Sequence, residues 1–302
     1  PGTAVRLNPH FASPDLVVFF VGLLVSAGLH ARRVRGSILW GILAAGALAV
    51  TLKLALPVLV PEFAGRPLVA DSGLMTRFEI ADRLVARPPS LGPTFLQMDL
   101  RGALSLAMAP VVAIFLFMVF FDTVGTLVGV AQQAGLMRDE RLPRARQAFV
   151  SDAVGTVGGA CLGTSTVTSY IESATGVEQG GRTGLTAVTV AVLFLVALFF
   201  SPLVQMLGGY APVTAPALVL VGAMMLGNVR ELAWDDPTEL LPSFLVLVGI
   251  PLSYSIADGL ALGFVAYPLL KLLGGRVREV GWISWLLAAV LLGYFVLVRS
   301  QP

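Results

Sequence analysis

The distribution of apolar residues along the chain predicts a series of long helices. Runs of mostly apolar residues, many long enough to cross a bilayer, alternate with short polar stretches. The predicted spans are residues 15–31, 37–56, 102–137, 148–162, 183–207, 213–228, 239–254 and 257–272, with a last apolar run at 281–298. A kink is expected at Pro202. The pattern indicates an all-α polytopic membrane protein with about nine or ten transmembrane segments.

The composition supports this assignment. Hydrophobic residues make up 56% of the chain and charged residues only 13%, with a mean hydropathy of +0.86. A soluble domain normally carries about 25% charged residues. The net charge of +2 is too small to favour nucleic acid, and the single cysteine excludes an intrachain disulfide. We expect the lipid bilayer as the environment, and no nucleic-acid partner, cofactor or metal.

The positions of arginine and lysine predict the orientation in the membrane. Basic residues cluster at 32–35, 138–146 and 271–278, which fall on one side if the spans alternate. The long loop 57–100, whose charge is balanced, falls on the other side. Because basic loops are retained in the cytoplasm, we predict a multi-pass protein of the cell membrane with the arginine-rich loops 32–35 and 138–146 inside.

One polar stretch interrupts the apolar pattern. Seven of the twelve residues from Thr164 to Thr175 are Ser or Thr, and Glu172 adds a carboxylate. Threonines at 164, 166 and 168 alternate with Ser165, Val167 and Ser169, and Gly163 and Gly176 lie at either side. This predicts a short strand plus a half-helix near 164–177. Backbone of this kind is tolerated at membrane depth only when buried or lining a cavity, and transporters place substrate sites at such broken helices.

A second acid, Asp122, lies within the long apolar run 102–137. An ionised acid at the bilayer centre costs at least about 2.5–3.5 kcal/mol, so Asp122 needs a partner, a wet cavity or a bound proton. Thr126 lies one helical turn further and faces the same way. The structural alternatives are that Asp122 is a protonated acid bonded to a neighbouring helix and that Glu172 is only a helix cap or loop acid.

Other charged residues are assigned structural roles. Asp152 follows the arginine-rich loop and is expected to pair with Arg146. Glu178 and Arg182 flank Gly180 and Gly181, which predicts a turn closed by a salt bridge. Asp258 begins a span and is interpreted as an end-of-helix acid, and Lys53 is expected to extend toward the membrane interface.

Four motifs carry a resemblance to a known family. They are F-D-T-V-G-T-L-V-G-V-A (121–131), L-P-R-A-R-Q-A-F-V-S-D (142–152), G-T-S-T-V-T-S-Y-I-E-S-A-T-G-V-E-Q-G-G-R-T-G-L-T-A-V (163–188) and A-P-A-L-V-L-V-G-A-M-M (215–225). Together they resemble the guanine/hypoxanthine/adenine permease branch of the nucleobase–cation symporter-2 (xanthine/uracil permease) family. The resemblance extends over most of the chain from about residue 15.

The resemblance implies a fold of fourteen segments in two inverted repeats of seven, with a core domain and a gate domain. On that template the chain begins near segment 6 and contains the second repeat. Residues 1–100 then hold two gate spans and a long extracellular loop, residues 101–208 the core spans, and residues 209–302 further gate spans and a C-terminal helix. The template does not place 281–298.

The resemblance also implies a binding site. In similar transporters an acid on segment 8 and an acid on segment 10 bind the base, and these correspond to Asp122 and Glu172. Thr126 faces the same site, and backbone groups beside the segment 10 acid correspond to Tyr170, Ile171, Glu172 and Ser173. Ser173 replaces the Asn of the uracil and xanthine branches, which favours purines. The segment 3 strand that pairs beside segment 10 lies outside this chain on the template.

The resulting hypothesis is a secondary transporter, not an enzyme, that takes up purine nucleobases with protons or, alternatively, sodium ions. Asp122 and Glu172 are the candidates for proton coupling, and similar transporters are commonly homodimers. Three alternatives remain open: an anion transporter of the same architecture, an intramembrane hydrolase that uses the two acids as an acid pair, and an inert truncated remnant.

Overall fold

The computed structural model describes residues 13–138 and 141–294, and within these ranges the chain consists of helices and irregular connections without a β-strand. Five helices there are long and apolar enough to cross a membrane: Pro14–Ala31, Ser37–Leu59, Val111–Gln133, Gly184–Gly208 and Ile256–Leu273. Ala211–Met225, Pro237–Ser253 and Trp282–Gly293 are shorter apolar helices. The prediction of an all-α polytopic membrane protein is therefore confirmed.

The first two predicted spans are helices α1 (Pro14–Ala31) and α2 (Ser37–Leu59). Ser13 caps α1, because its hydroxyl oxygen accepts a hydrogen bond from the N–H of Leu16. Gly36 precedes α2 with a φ of 70°, a conformation that glycine adopts without steric cost. The two helices therefore form a hairpin with a short connection.

The segment after α2 is more ordered than a loop. It contains the one-turn helices α3 (Pro61–Ala64), α4 (Pro67–Ala70) and α5 (Gly73–Thr76). The side chains of Leu74 and Phe78 are fully buried, in a cluster with Val18, Ala45, Ala49, Tyr210 and Val213. We call residues 61–78 the cap segment, since it covers one end of the helices that supply this cluster.

Two charged side chains hold the cap segment in place. The carboxylate of Asp15 accepts hydrogen bonds from the N–H groups of Gly73 and Leu74, at 2.8 and 2.7 Å, and from the hydroxyl of Tyr210 at 2.5 Å. Lys53 donates a hydrogen bond to the carbonyl oxygen of Phe78. The Lys53 side chain therefore bonds to the protein backbone. The sequence had predicted that this side chain extends toward the membrane interface.

The middle of the chain contains α6 (Leu100–Ala103), α7 (Ala109–Gln133) and α8 (Ala145–Leu162), then α9 (Ser173–Glu178), α10 (Gly184–Ala197) and α11 (Ser201–Gly208). Residues 163–172 lie outside any helix, so the predicted interruption is confirmed. The strand predicted there is not formed, since a strand needs a neighbouring strand to bond with and none occurs in the described ranges. The 3-10 turn Leu198–Phe200 interrupts the α-helix just before Pro202, the position at which a kink is predicted.

The last part contains α12 (Ala211–Met225), α13 (Pro237–Ser253), α14 (Ile256–Leu273) and α15 (Trp282–Tyr294). The predicted division between the spans 239–254 and 257–272 is confirmed, because Tyr254 adopts a φ of 54° between α13 and α14. Helix α12 begins earlier than predicted and continues through Pro216. The final residues of the predicted run 281–298, from 295 onward, lie outside the described residues.

The chain divides into two compact units. Among the described residues, one comprises 13–100, 122–138 and 141–226, and the other comprises 101–121 and 227–294. The first unit contains the cap-segment cluster. The second contains a cluster around Phe117, Ala261 and Leu291. The division into 1–100, 101–208 and 209–302, which follows the family template, remains a prediction.

The second unit also contains a network of charges around Lys271, whose side chain is 2% exposed. Its ammonium nitrogen lies 2.8 Å from a carboxylate oxygen of Glu239 and 2.9 Å from one of Glu279. Arg276 contacts Glu279 at 2.7 Å and Asp236 at 2.5 Å. Hydrogen bonds from Thr238 and Arg276 hold the pKa of Asp236 well below its usual value, and those from Arg276 and Lys271 lower the pKa of Glu279. The network joins the ends of α13 and α14.

Candidate functional site

Helix α7 carries the first predicted site acid, Asp122, and the hydroxyl of Thr126. Successive residues of an α-helix are rotated by about 100°, so Thr126 lies about 40° and Thr123 about 100° from Asp122 around the helix. Thr126 is 6% exposed and Thr123 3%. The side chain of Asp122 is exposed at the edge of this threonine face. Within the described residues, Asp122 is thus not buried against a neighbouring helix.

Asp152 on α8 joins α7 to the irregular segment 163–172. One of its carboxylate oxygens accepts a hydrogen bond of 2.9 Å from the hydroxyl of Thr123. The other accepts bonds of 3.1 and 3.2 Å from the N–H and the hydroxyl of Ser169. Thr123 is next to Asp122 in sequence, and Ser169 is three residues before Glu172. A single side chain thus fixes the backbone near both predicted site acids.

The irregular segment lies against α8 along much of its length. The hydroxyl of Thr156 donates a hydrogen bond of 2.7 Å to the carbonyl oxygen of Val167. At Gly159, a Cβ atom would lie 2.5 Å from a methyl group of Val167 and 3.0 Å from one of Thr164. The approach is therefore possible only because residue 159 has no side chain. Gly163, with a φ of 81°, ends α8 and lets the chain turn back.

Glu172 lies in the turn that leads into α9. The N–H of Ser173 bonds to the carbonyl oxygen of Tyr170, and the N–H of Thr175 to that of Glu172. Glu172 occupies the position before α9, yet its side chain accepts no capping hydrogen bond from the helix. The interpretation of Glu172 as a helix cap is therefore not supported. Its carboxylate is half-buried, and the neighbouring Tyr170, Ile171 and Ser173 are exposed.

The structure brings together the backbone regions of the two acids. Thr123 and Ser169, the near neighbours of Asp122 and Glu172, bind the same carboxylate. The convergence of the Asp122 and Glu172 side chains on one substrate remains a prediction.

Sequence reasoning misjudged Asp152. We expected this residue to pair with Arg146, six positions earlier, but its carboxylate binds Thr123 and Ser169. A carboxylate accepts several hydrogen bonds, and neutral hydroxyls from other segments satisfy it as well as an arginine does. The sequence contains one signal for this role of Asp152. The Ser and Thr hydroxyls at 164–169 need hydrogen-bond acceptors, and a carboxylate is such an acceptor.

The turn after α9 also differs in one respect from the prediction. Gly180, with a φ of 99°, and Gly181 form the expected turn. The predicted salt bridge between Glu178 and Arg182 is not formed, and a carboxylate oxygen of Glu178 instead lies 4.0 Å from Nε2 of His30 on α1.

The arrangement offers acceptors for a polar ligand. Two carboxylates and one threonine hydroxyl can accept hydrogen bonds from a molecule that presents several N–H donors. Among the described residues, no group of three or more His, Cys, Asp or Glu side chains is placed to hold a metal ion. Recognition by hydrogen bonding is a chemistry that these residues can provide.

Comparison with known proteins gives consistent results. A sequence model of a permease family, that of the xanthine/uracil permeases, matches residues 4–262. A candidate permease of Methanocaldococcus jannaschii is 43% identical over 295 residues, which cover 97% of this chain and 62% of that protein. The guanine/hypoxanthine permease PbuO of Bacillus subtilis is 40% identical over 268 residues, 89% of this chain and 57% of that permease.

The adenine permease AdeQ of Escherichia coli is also similar, at 43% identity over 212 residues, or 70% of this chain and 47% of that permease. The chain thus spans less than two thirds of the length of these relatives. The similarity includes the stretch that holds Asp122, Asp152 and Glu172, because the family match covers all three positions.

Proposed function

The chain belongs to the xanthine/uracil permease family, and we propose that it carries purine nucleobases across the cell membrane. It is a multi-pass membrane protein, and its membership of a permease family confirms the prediction that it is not an enzyme. The relatives named as guanine/hypoxanthine and adenine permeases support a purine as the substrate. The hydrolase alternative is disfavoured by the same membership.

The observation that carries this proposal is the set of hydrogen bonds to Asp152. By binding Thr123 and Ser169, Asp152 holds the backbone next to Asp122 and the backbone before Glu172 in fixed positions. Precise placement of first-contact groups by supporting hydrogen bonds is what a selective site requires. Asp152 is therefore a positioning residue of the proposed site.

We assign roles to the predicted residues by their chemistry. A purine presents ring N–H groups and an exocyclic amine or carbonyl. The carboxylates of Asp122 and Glu172 accept the N–H donors in charge-assisted hydrogen bonds, which are stronger than neutral ones. The hydroxyl of Thr126 and the backbone from Tyr170 to Ser173 bind the remaining edge of the base.

We further propose that transport of the base is coupled to the movement of protons. Ionisable side chains within membrane spans mark substrate or proton pathways in many carriers. Either Asp122 or Glu172 takes up the proton together with the base and releases it on the other side. Sodium is the alternative coupling ion, and a homodimer is the expected assembly.

Uptake of radiolabelled adenine, guanine and hypoxanthine tests the proposal, with the full-length protein expressed in cells that lack their own purine carriers. Asp122→Asn and Glu172→Gln are expected to abolish uptake while the protein still reaches the membrane. Glu62→Gln, an exposed acid on α3, is the matched control. Uptake that is unaltered in both site variants would refute the assignment, and proton coupling is checked by adding a protonophore or removing sodium.

A further inference from the structure

The side chains of His30 and Glu178 meet outside the proposed base site. Nε2 of His30 lies 4.0 Å from a carboxylate oxygen of Glu178, and the two side chains are 30% and 40% exposed. The residues are far apart in sequence and belong to different helices, α1 and α9. The proposed site gives neither of them a role.

His30 is attached to a well-packed group of helices. It lies in the last turn of α1, which packs along α2 and α12. At Gly22 of α1, a Cβ atom would lie 3.0 Å from Ala45 of α2 and 3.1 Å from Pro216 of α12, so the three helices approach closely. The position of His30 is therefore fixed by this three-helix group.

Glu178 is the last residue of α9, and glycines both precede and follow it in the sequence. Helix α9 has only six residues, contains Gly176 and is followed by Gly180 and Gly181. It begins directly after Glu172, and six residues of helix place Glu178 about 9 Å from that acid. A shift of α9 would therefore displace the Glu172 carboxylate.

The contact pairs an imidazole with a carboxylate. His30 lies in the last turn of α1, where the helix dipole favours a basic group, and a carboxylate oxygen of Glu178 lies 4.0 Å from its Nε2. Such a pair between half-exposed groups is weak, which suits a contact that forms and breaks repeatedly.

We propose that the His30–Glu178 contact is a conformational latch, which holds α9 against the α1–α2–α12 group in the observed state and opens during transport. Carriers alternate access by moving one bundle of helices against another around the substrate site. The contact joins a rigid bundle to the short helix beside that site, and its opening frees Glu172 to move. The inference depends on the proposed transport function.

Disulfide cross-linking tests the latch in the full-length protein. His30→Cys and Glu178→Cys are combined in a variant in which Cys161 is replaced by serine, with each single cysteine variant as a control. We expect oxidation to cross-link the double variant, to stop purine uptake and to be reversed by a reducing agent. We also expect added purine to change the rate of cross-linking.

The outcomes separate the two proposals. Full uptake by the cross-linked protein, or no cross-linking of the double variant in membranes, would overturn the latch. A Cys161→Ser parent that reaches the membrane but takes up no purine would instead overturn the proposed function, because the latch takes no part in that measurement.

Discussion

Asp152 and Thr123 are joined by a hydrogen bond of 2.9 Å that connects α8 to α7 beside Asp122. The same carboxylate binds Ser169, which belongs to the irregular segment before Glu172. Three consecutive parts of the chain therefore depend on one acid that is not itself a predicted ligand of the base.

Replacement of Asp152 by asparagine is expected to reduce both stability and uptake. The amide retains one acceptor oxygen but cannot accept from Thr123 and Ser169 on two oxygens, and hydrogen bonds to charged groups are worth about 1.5–3 kcal/mol. Thermal unfolding of the purified protein and initial uptake rates measure the effect. Thr123→Val should show part of the same loss. Asp152→Asn with normal stability and uptake would contradict a positioning role.

Gly159→Ala is expected to displace the irregular segment from α8. The added methyl group would lie 2.5 Å from Val167, and overpacking of this kind costs about 1–3 kcal/mol. Gly158→Ala is the matched control, since nothing lies within 4 Å of its Cβ position. Uptake should fall only in the first variant, and Val167→Ala should partly restore it. Equal effects at 158 and 159 would argue against the observed packing.

Tyr210→Phe is expected to loosen the cap segment. Burial and the hydrogen bond to Asp15 raise the pKa of Tyr210 far above its usual value, so the hydroxyl remains a donor at every physiological pH. Its loss should increase proteolysis within residues 61–78, with Tyr267→Phe in the second unit as the control. An unchanged cleavage pattern would show that the bonds from Gly73 and Leu74 hold the segment alone.

The charge network around Lys271 predicts a loss of stability in acid. Because the pKa values of Asp236 and Glu279 are lowered in the folded protein, their contribution is complete above the ordinary carboxyl pKa of about 4 and is lost as the pH falls below it. Melting temperatures measured between neutral and acidic pH should show this decline. High salt should make this decline smaller, since the ion pairs of Arg276 are exposed to solvent and are screened.

Arg276→Gln should make the acid dependence shallower, because Arg276 contacts both carboxylates. Arg278→Gln is the control, an exposed arginine two residues further along the same connection. If the two variants lose acid sensitivity equally, general charge and not the network is responsible.

Much of the fold could be predicted from the sequence because long apolar runs in a membrane protein have few alternatives to helix. The boundaries of α1, α2, α13 and α14 follow from this pattern. The cap segment could not be predicted in this way, since its helices have only four residues each and depend on the burial of Leu74 and Phe78. Such short helices are not stable without tertiary contacts.

The candidate site could be predicted in part, again because its residues contrast with the apolar runs around them. Asp122 and Glu172 stand out because acids are rare in apolar surroundings. The role of Asp152 depends on partners 29 and 17 residues away, and no local pattern indicates which distant hydroxyl will bind a given carboxylate. The strand expected at 164–169 does not form. Alternation of residue types along the chain specifies which side chains share a face, but it does not provide a neighbouring strand.

The bond between Asp15 and Tyr210 has a consequence for the biosynthesis of the protein. The two residues are 195 positions apart, which corresponds to roughly 10–40 s of translation at about 5–20 residues per second. During that interval α1 and α2 have left the ribosome while the hydroxyl donor for Asp15 has not yet been made. The end of this bundle beside the cap segment is therefore completed late, and the nascent chain must keep an unfinished helical hairpin in the membrane until α12 arrives.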